Sequence, residues 1–177
     1  MTNRILPWFA LLALLLGGCQ FDQATKAWAV DSLRDGPWTV VPGILEMRYA
    51  ENRAIAFSML SDVPERIRTP LIYGLACVSL SALLAYAWSL RRHGPWRIAP
   101  LVLILAGAAG NLLDRYRNGY VVDFVRVHWH EAWSFAIFNV ADSLITVGMI
   151  LAFLQGFLDK EPEARDRNAL RPGAAEA

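Results

Sequence analysis

What most constrains this chain is where its charges are absent. Long apolar stretches carry none, and the charged residues collect between them. Crossing the hydrocarbon of a bilayer as a helix takes on the order of 20 mainly apolar residues. Four stretches approach that length: Ile5 to Phe21, which meets Asp22; Leu71 to Leu90, closed by Arg91 and Arg92; Ile98 to Leu113, rich in Gly and Ala; and about Ala132 to Leu158, whose one charge is Asp142. Composition agrees, because 55% of the 177 residues are hydrophobic and 19% charged, against roughly a quarter charged in soluble chains. The expected fold is an all-α membrane protein with four transmembrane helices. A net charge of +1, with no basic run and no zinc-ligand spacing, argues against nucleic acid as a partner.

Arg91, Arg92 and Arg97 crowd one short connection, which the positive-inside tendency places in the cytoplasm. Four spans then put both termini inside and leave the segments Val30 to Pro70 and Asp114 to Glu131 outside. In the first of these, turn signals at Asp35-Gly36-Pro37 and Pro42-Gly43 bracket β-prone pieces, Trp38 to Val41 and Ile44 to Tyr49. A small extracytoplasmic β element over about residues 36–60 is expected, with Trp38, Trp129 and Trp133 as anchors at the membrane boundary. Residues 1–158 read as one membrane domain, and residues 159–177, polar and interrupted by Pro162 and Pro172, as a disordered cytoplasmic tail. Cys19 and Cys77 lie inside apolar stretches, so no disulfide framework is expected. Leu16-Gly17-Gly18-Cys19 after an apolar run looks like a bacterial lipoprotein signal. Three further spans follow it, however, which makes a cleaved anchor redundant, and small residues that aid helix packing are the preferred account.

The polar residues near the spans are few: Asp22 and Lys26, Asn52, Asn111 with Asp114 and Arg115, Asp123, and Asn139 with Asp142. Asn139, Asp142, Ser143 and Thr146 share one face of a helix and should point at the other helices. Asp22 and Lys26, four apart, can form an ion pair at the membrane boundary, and Asp114 with Arg115 can close the third helix. Asp123 and Asp142 are carboxylates in apolar settings, where ionisation is costly. Brought together they would share a proton, one serving as acid and the other as base, and could activate water against a peptide carbonyl without metal or cofactor. Structural polar contacts or a proton relay remain open from the residues alone.

In order, Asp22-Gln23-xx-Lys26, Asn52-xxx-Ala56-Phe57, Gly110-Asn111-xx-Asp114-Arg115, Gly119-x-Val121-Val122-Asp123-Phe124 and Phe138-Asn139-x-Ala141-Asp142-Ser143 resemble the lipoprotein signal peptidase family, or signal peptidase II. The resemblance covers roughly Leu6 to Phe157. It implies a bacterial inner-membrane aspartic protease with its site towards the periplasm, and a monomer is expected. Its partners would be membrane lipid and prolipoproteins bearing a diacylglyceryl-cysteine, cut just before that cysteine. It further implies that Asp123, in the loop before the fourth helix, and Asp142 are the catalytic dyad. Asn52, Asn111, Arg115 and Asn139 would hold substrate or dyad, Asp114 would orient Arg115, and Asp22 and Lys26 would support the site. No cofactor is expected.

Two positions depart from the family pattern. Ala54 stands where a glycine is usual, and Phe135-Ala136-Ile137-Phe138 lacks a proline at 136. These changes bear on loop geometry more than on chemistry. Two other readings fit the same residues: a non-catalytic relative that binds lipidated peptides, and a small proton-coupled transporter using Asp142.

Overall fold

The structure, a computed structural model, describes residues 5–53, 63–92, 94–130 and 132–169, with side chains to Leu158. Ala54, Ala56 and Phe57, the rest of the expected β element to residue 60, and the tail beyond Ala169 lie outside the described residues. Helices α1 (Leu6–Leu33), α2 (Glu65–Leu90), α3 (Ala99–Asn118) and α4 (Val140–Ala169) are joined by strands β1 (Trp38–Val41), β2 (Leu45–Asn52), β3 (Val121–Trp129) and β4 (Trp133–Ser134). The strands form one antiparallel sheet in the order β1-β2-β3-β4.

The distribution of side chains is the reverse of a soluble domain's. Large apolar residues point outward: Phe9, Leu16 and Phe21 on α1, Val78, Leu84 and Trp88 on α2, Phe153 and Phe157 on α4. Inside lie Asp22, Lys26, Asp114, Asp123 and Asn139, packed among Ala106, Ala141 and other small residues. A surface of that kind would aggregate in water and is at home in lipid. α2 and the Val140–Leu158 part of α4 are long and apolar enough to cross a membrane. α1 and α3 carry charged site residues within their length, Asp22 and Lys26 in one, Asp114 and Arg115 in the other.

Small residues let the helices approach closely, as is usual where lipid supplies no hydrophobic drive between them. A side chain on Gly107 of α3 would collide with the carbonyl oxygen of Ala141 on α4. Gly107→Val therefore forces α3 and α4 apart. It should cost about 1–3 kcal/mol, the usual range for overpacking, and should lower activity, because the displaced residue adjoins Asp142. Thermal unfolding in detergent and a peptide-cleavage assay check both effects. The seam also absorbs part of the signal-like motif: Gly18 meets Ala106 and Leu144 at 3.1 and 3.4 Å from the position a Cβ would take. Cys19 is a half-buried, free thiol inside the continuous α1.

Four boundaries differ from expectation. α1 does not stop at Asp22 but continues to Leu33, so Asp22 and Lys26 are buried within a helix and not at a water boundary. The end of α1 is held there by apolar contact, since Ala29 and Leu33 pack on Val122 and Phe124 of the sheet. α4 begins at Val140, not near Ala132, because residues 133–138 are drawn into pairing with β3. Asp123 sits in a strand, not a loop: Val121-Val122-Asp123-Phe124-Val125 is β-prone, and the run pairs with β2. The backbone of α4 stays helical past Leu158 to Ala169. Glu161, Glu163, Ala164 and Arg165 are good helix formers and prolong a helix already nucleated.

Candidate active site

Each aspartate arrives on an element whose local geometry follows from its sequence. α3 ends at Gly119, whose φ of 78° is left-handed and suits glycine. The chain turns there and enters β3. Asp123 lies opposite Ala50 and Val121 opposite Asn52, which puts Asn52 and Asp123 in diagonal positions on one face of the sheet. Asn52 Nδ2 donates to Asp123 Oδ2 at 2.9 Å.

Asp142 occupies the first turn of α4. Asn139 is the residue before that helix, and the two cap it reciprocally: the Asp142 N–H donates to Asn139 Oδ1 at 3.0 Å, and the Asn139 N–H donates to Asp142 Oδ2 at 3.1 Å. This is a capping box with Asp in place of Glu. The free Asn139 Nδ2 donates to Asp123 Oδ1 at 2.6 Å. One fully buried asparagine thus ties both carboxylates together.

Asn111 of α3 donates from Nδ2 to Asp142 Oδ1 at 2.8 Å. Its Oδ1 accepts from Lys26 Nζ at 2.9 Å and from Asn139 Nδ2 at 3.1 Å. Two donors on the oxygen fix the amide, so its N–H₂ must face Asp142. Lys26 is itself held by Asp22 Oδ2 at 2.8 Å and Asp114 Oδ2 at 3.0 Å, all three nearly without exposure. The remaining oxygens of these two aspartates reach further: Asp22 Oδ1 accepts the Ala141 N–H at 2.8 Å, and Asp114 Oδ1 accepts from Gln23 Nε2 at 2.8 Å. The Val122 N–H donates to Asp114 Oδ2 at 3.1 Å. The Asp22, Lys26 and Asp114 cluster therefore joins α1 and α3 to the strand and to the helix that carry Asp123 and Asp142. Asp114, expected to orient Arg115, is engaged with Lys26, Gln23 and β3.

Burial, more than the neighbouring Asp142 carboxylate, pushes the Asp123 carboxyl up to about 6, against the opposing donors Asn52 and Asn139. Both aspartates line a cavity of about 720 Å³. Asn52, Asn111, Arg115, Ser143 and Thr146 supply its polar wall, and Ile72, Ala76, Leu112, Ile145, Val147 and Met149 its apolar one. Arg115 Nη1 also donates to the Asn111 carbonyl at 3.3 Å. Two of the four residues of the expected polar stripe, Ser143 and Thr146, bond back to the carbonyls of Asn139 and Asp142. All nine residues expected at the site are brought into this one region. Gln23 was missed as a contributor, although it sits beside Asp22 in a quoted motif.

A family model for signal peptidase (SPase) II matches residues 12–158. The chain belongs to the signal peptidase II family. It is 40% identical over 159 residues to the lipoprotein signal peptidase of Pseudomonas putida, covering 88% of each chain. It is 37% identical over 158 residues to that of Pseudomonas aeruginosa PAO1, covering 88% of this chain and 90% of the relative. Two solved structures of bacterial membrane enzymes, determined by the in meso method, share the fold. One has a TM-score of 0.68 at 23% identity and covers 94% of each chain. The other has a TM-score of 0.67 at 25% identity and covers 82% of this chain and 91% of its own. With relatives of this kind, neither the transporter nor the binding-only reading is favoured for this signal peptidase II family member.

Proposed function

We propose that this chain hydrolyses the peptide bond before the diacylglyceryl-cysteine of bacterial prolipoproteins, with Asp123 and Asp142 as its catalytic dyad. The observation that carries the proposal is the bridge through Asn139, which fixes two carboxylates of unlike environment on one cavity wall. Asp123, buried in the sheet and raised to about 6, bears the proton below that pH. Asp142 accepts two N–H groups at the positive end of a helix, a setting that suits the negative charge.

Asp142 takes a proton from water as its oxygen attacks the scissile carbonyl carbon, and Asp123 protonates the carbonyl oxygen. The tetrahedral diol then collapses: Asp142 passes its proton to the leaving nitrogen, one diol hydroxyl returns a proton to Asp123, and the C–N bond breaks. The products are a signal peptide ending in a carboxylic acid and a lipoprotein with a free cysteine amine. Asn52, Asn111, Asn139 and Arg115 hold dyad and peptide in place. The apolar wall of the cavity suits acyl chains, which bring the bond to the dyad by burying themselves in the membrane.

The site accords with a monomer, because a single chain supplies every residue named. We place it in the inner membrane with four spans, both termini cytoplasmic and the sheet towards the periplasm. Outward apolar faces and the Arg91, Arg92 and Arg97 cluster support that placement. The purified protein should cleave a synthetic diacylglyceryl-modified prolipoprotein peptide and leave its unlipidated counterpart intact. Equal cleavage of both would remove the lipid requirement.

A pH profile tests the division of labour. A raised carboxyl keeps its proton below its pKa and loses it above, so kcat/KM should fall as pH rises through about 6. A plateau through neutral pH would contradict Asp123 as the acid of the free enzyme.

A further inference from the structure

Between β4 and α4 the chain runs along β3 out of step. The Phe135 N–H donates to the Val127 carbonyl at 2.8 Å, and the Phe138 N–H donates to the Val125 carbonyl at 3.1 Å. Three steps on one side therefore match two on the other, and the surplus makes a bulge at Ala136 and Ile137. Neither residue has a hydrogen bond anywhere among the described residues. Both line the cavity that holds Asp123 and Asp142, and both are half-buried. Backbone N–H groups ordinarily have a partner, and where two stand off a ladder beside a cavity the occupant of that cavity can supply it. In an extended segment successive N–H groups turn to opposite sides. Phe135 and Phe138 both turn their N–H groups to β3, so the alternation breaks between them and the N–H groups of Ala136 and Ile137 stand off the ladder.

We propose that the Ala136–Ile137 bulge is a backbone-recognition site, on which the extended substrate peptide lies as an added strand with one carbonyl accepting from the Ala136 N–H. The occupant follows from continuity with the dyad: the same cavity wall carries both, and an extended peptide whose bond reaches the aspartates passes along this edge. Strand addition at an open sheet edge is a common mode of peptide binding, and it tolerates varied side chains because the main chain supplies the contacts. Alanine is essential to the arrangement only through its N–H. Proline at this position, the residue usual in the family pattern, would leave the bulge without that donor.

The inference rests on the protease reading, and its test separates the two. Ala136→Pro is compared with wild type on the lipidated peptide, with kcat, KM and a directly measured Kd. A parallel set of peptides replaces one backbone amide at a time by an ester, which weakens the carbonyl of that unit as an acceptor. KM and Kd should rise about 3- to 10-fold in Ala136→Pro, the worth of one hydrogen bond. Ala136→Ser, which keeps the donor, should show a smaller rise. One ester position should weaken binding to wild type and have no further effect on Ala136→Pro, since a contact already lost cannot be lost again. Unchanged Kd in Ala136→Pro, or additive effects at every ester position, overturns the backbone site. The ester series on wild type needs no variant to fold. Absence of turnover with Kd still sensitive to Ala136→Pro would sink the protease reading and leave the backbone site standing.

Discussion

Asp123→Asn and Asp142→Asn each lower cleavage of the lipidated peptide by roughly 10²–10⁴-fold, the range that positioned acid-base groups supply. The double variant should be no worse than either single one, because the two groups act as a unit. Asn is close in shape to Asp, so each variant should stay folded and inserted. The local cost differs between them. At 123 both oxygens accept from side-chain amides, Asn52 and Asn139, so the new N–H₂ must face one donor. Asn52 can turn its amide oxygen towards that N–H₂, which limits the loss. At 142 the partners are Asn111 Nδ2 and the Asn139 N–H, and Asn111 is prevented from flipping by Lys26 and Asn139 on its oxygen. Asp142→Asn should therefore be the less stable of the two in thermal unfolding. Turnover above a tenth of wild type in either purified variant would refute the dyad.

The sequence shows the apolar helices and the polar residues plainly, and for a physical reason. Charge is so costly in lipid that a residue such as Asp142 in an apolar run is conspicuous. It shows the junctions between elements poorly. Asp22 looks like the end of a span because an isolated carboxylate would have to reach water. Lys26, Gln23 and the Ala141 N–H remove that need, the last of them from a different helix. Residues 132–139 look like the start of the fourth span because they are apolar. Their fate is decided by pairing with β3, which lies at the end of a turn made by Gly119. Asp123 was legible as a site residue but not as a strand residue, and the strand is what sets it diagonal to Asn52. The reciprocal cap between Asn139 and Asp142 was within reach, since Asn three residues before an acidic residue at the head of an apolar run is a helix-start signal.

Lys26→Met is expected to be the most damaging single change outside the dyad. It leaves Asp22 and Asp114 with side chains 0% and 4% exposed and no cation between them. Removing one member of a buried ion pair costs about 3–5 kcal/mol, because the abandoned charge keeps its full desolvation penalty. A purely structural role and a positioning role for Lys26 can be told apart by neutralising the cluster. In Asp22→Asn/Lys26→Met/Asp114→Asn the amide oxygens can still accept the Ala141 and Val122 N–H groups, and no charge is stranded. Thermal stability should then recover most of the loss. Activity should not, because Asn111 Oδ1 has lost the ammonium that keeps its N–H₂ turned to Asp142. Recovery of both together would make Lys26 a counter-ion and nothing more. Recovery of stability alone makes the charged cluster the part of the fold that aims Asn111 at Asp142.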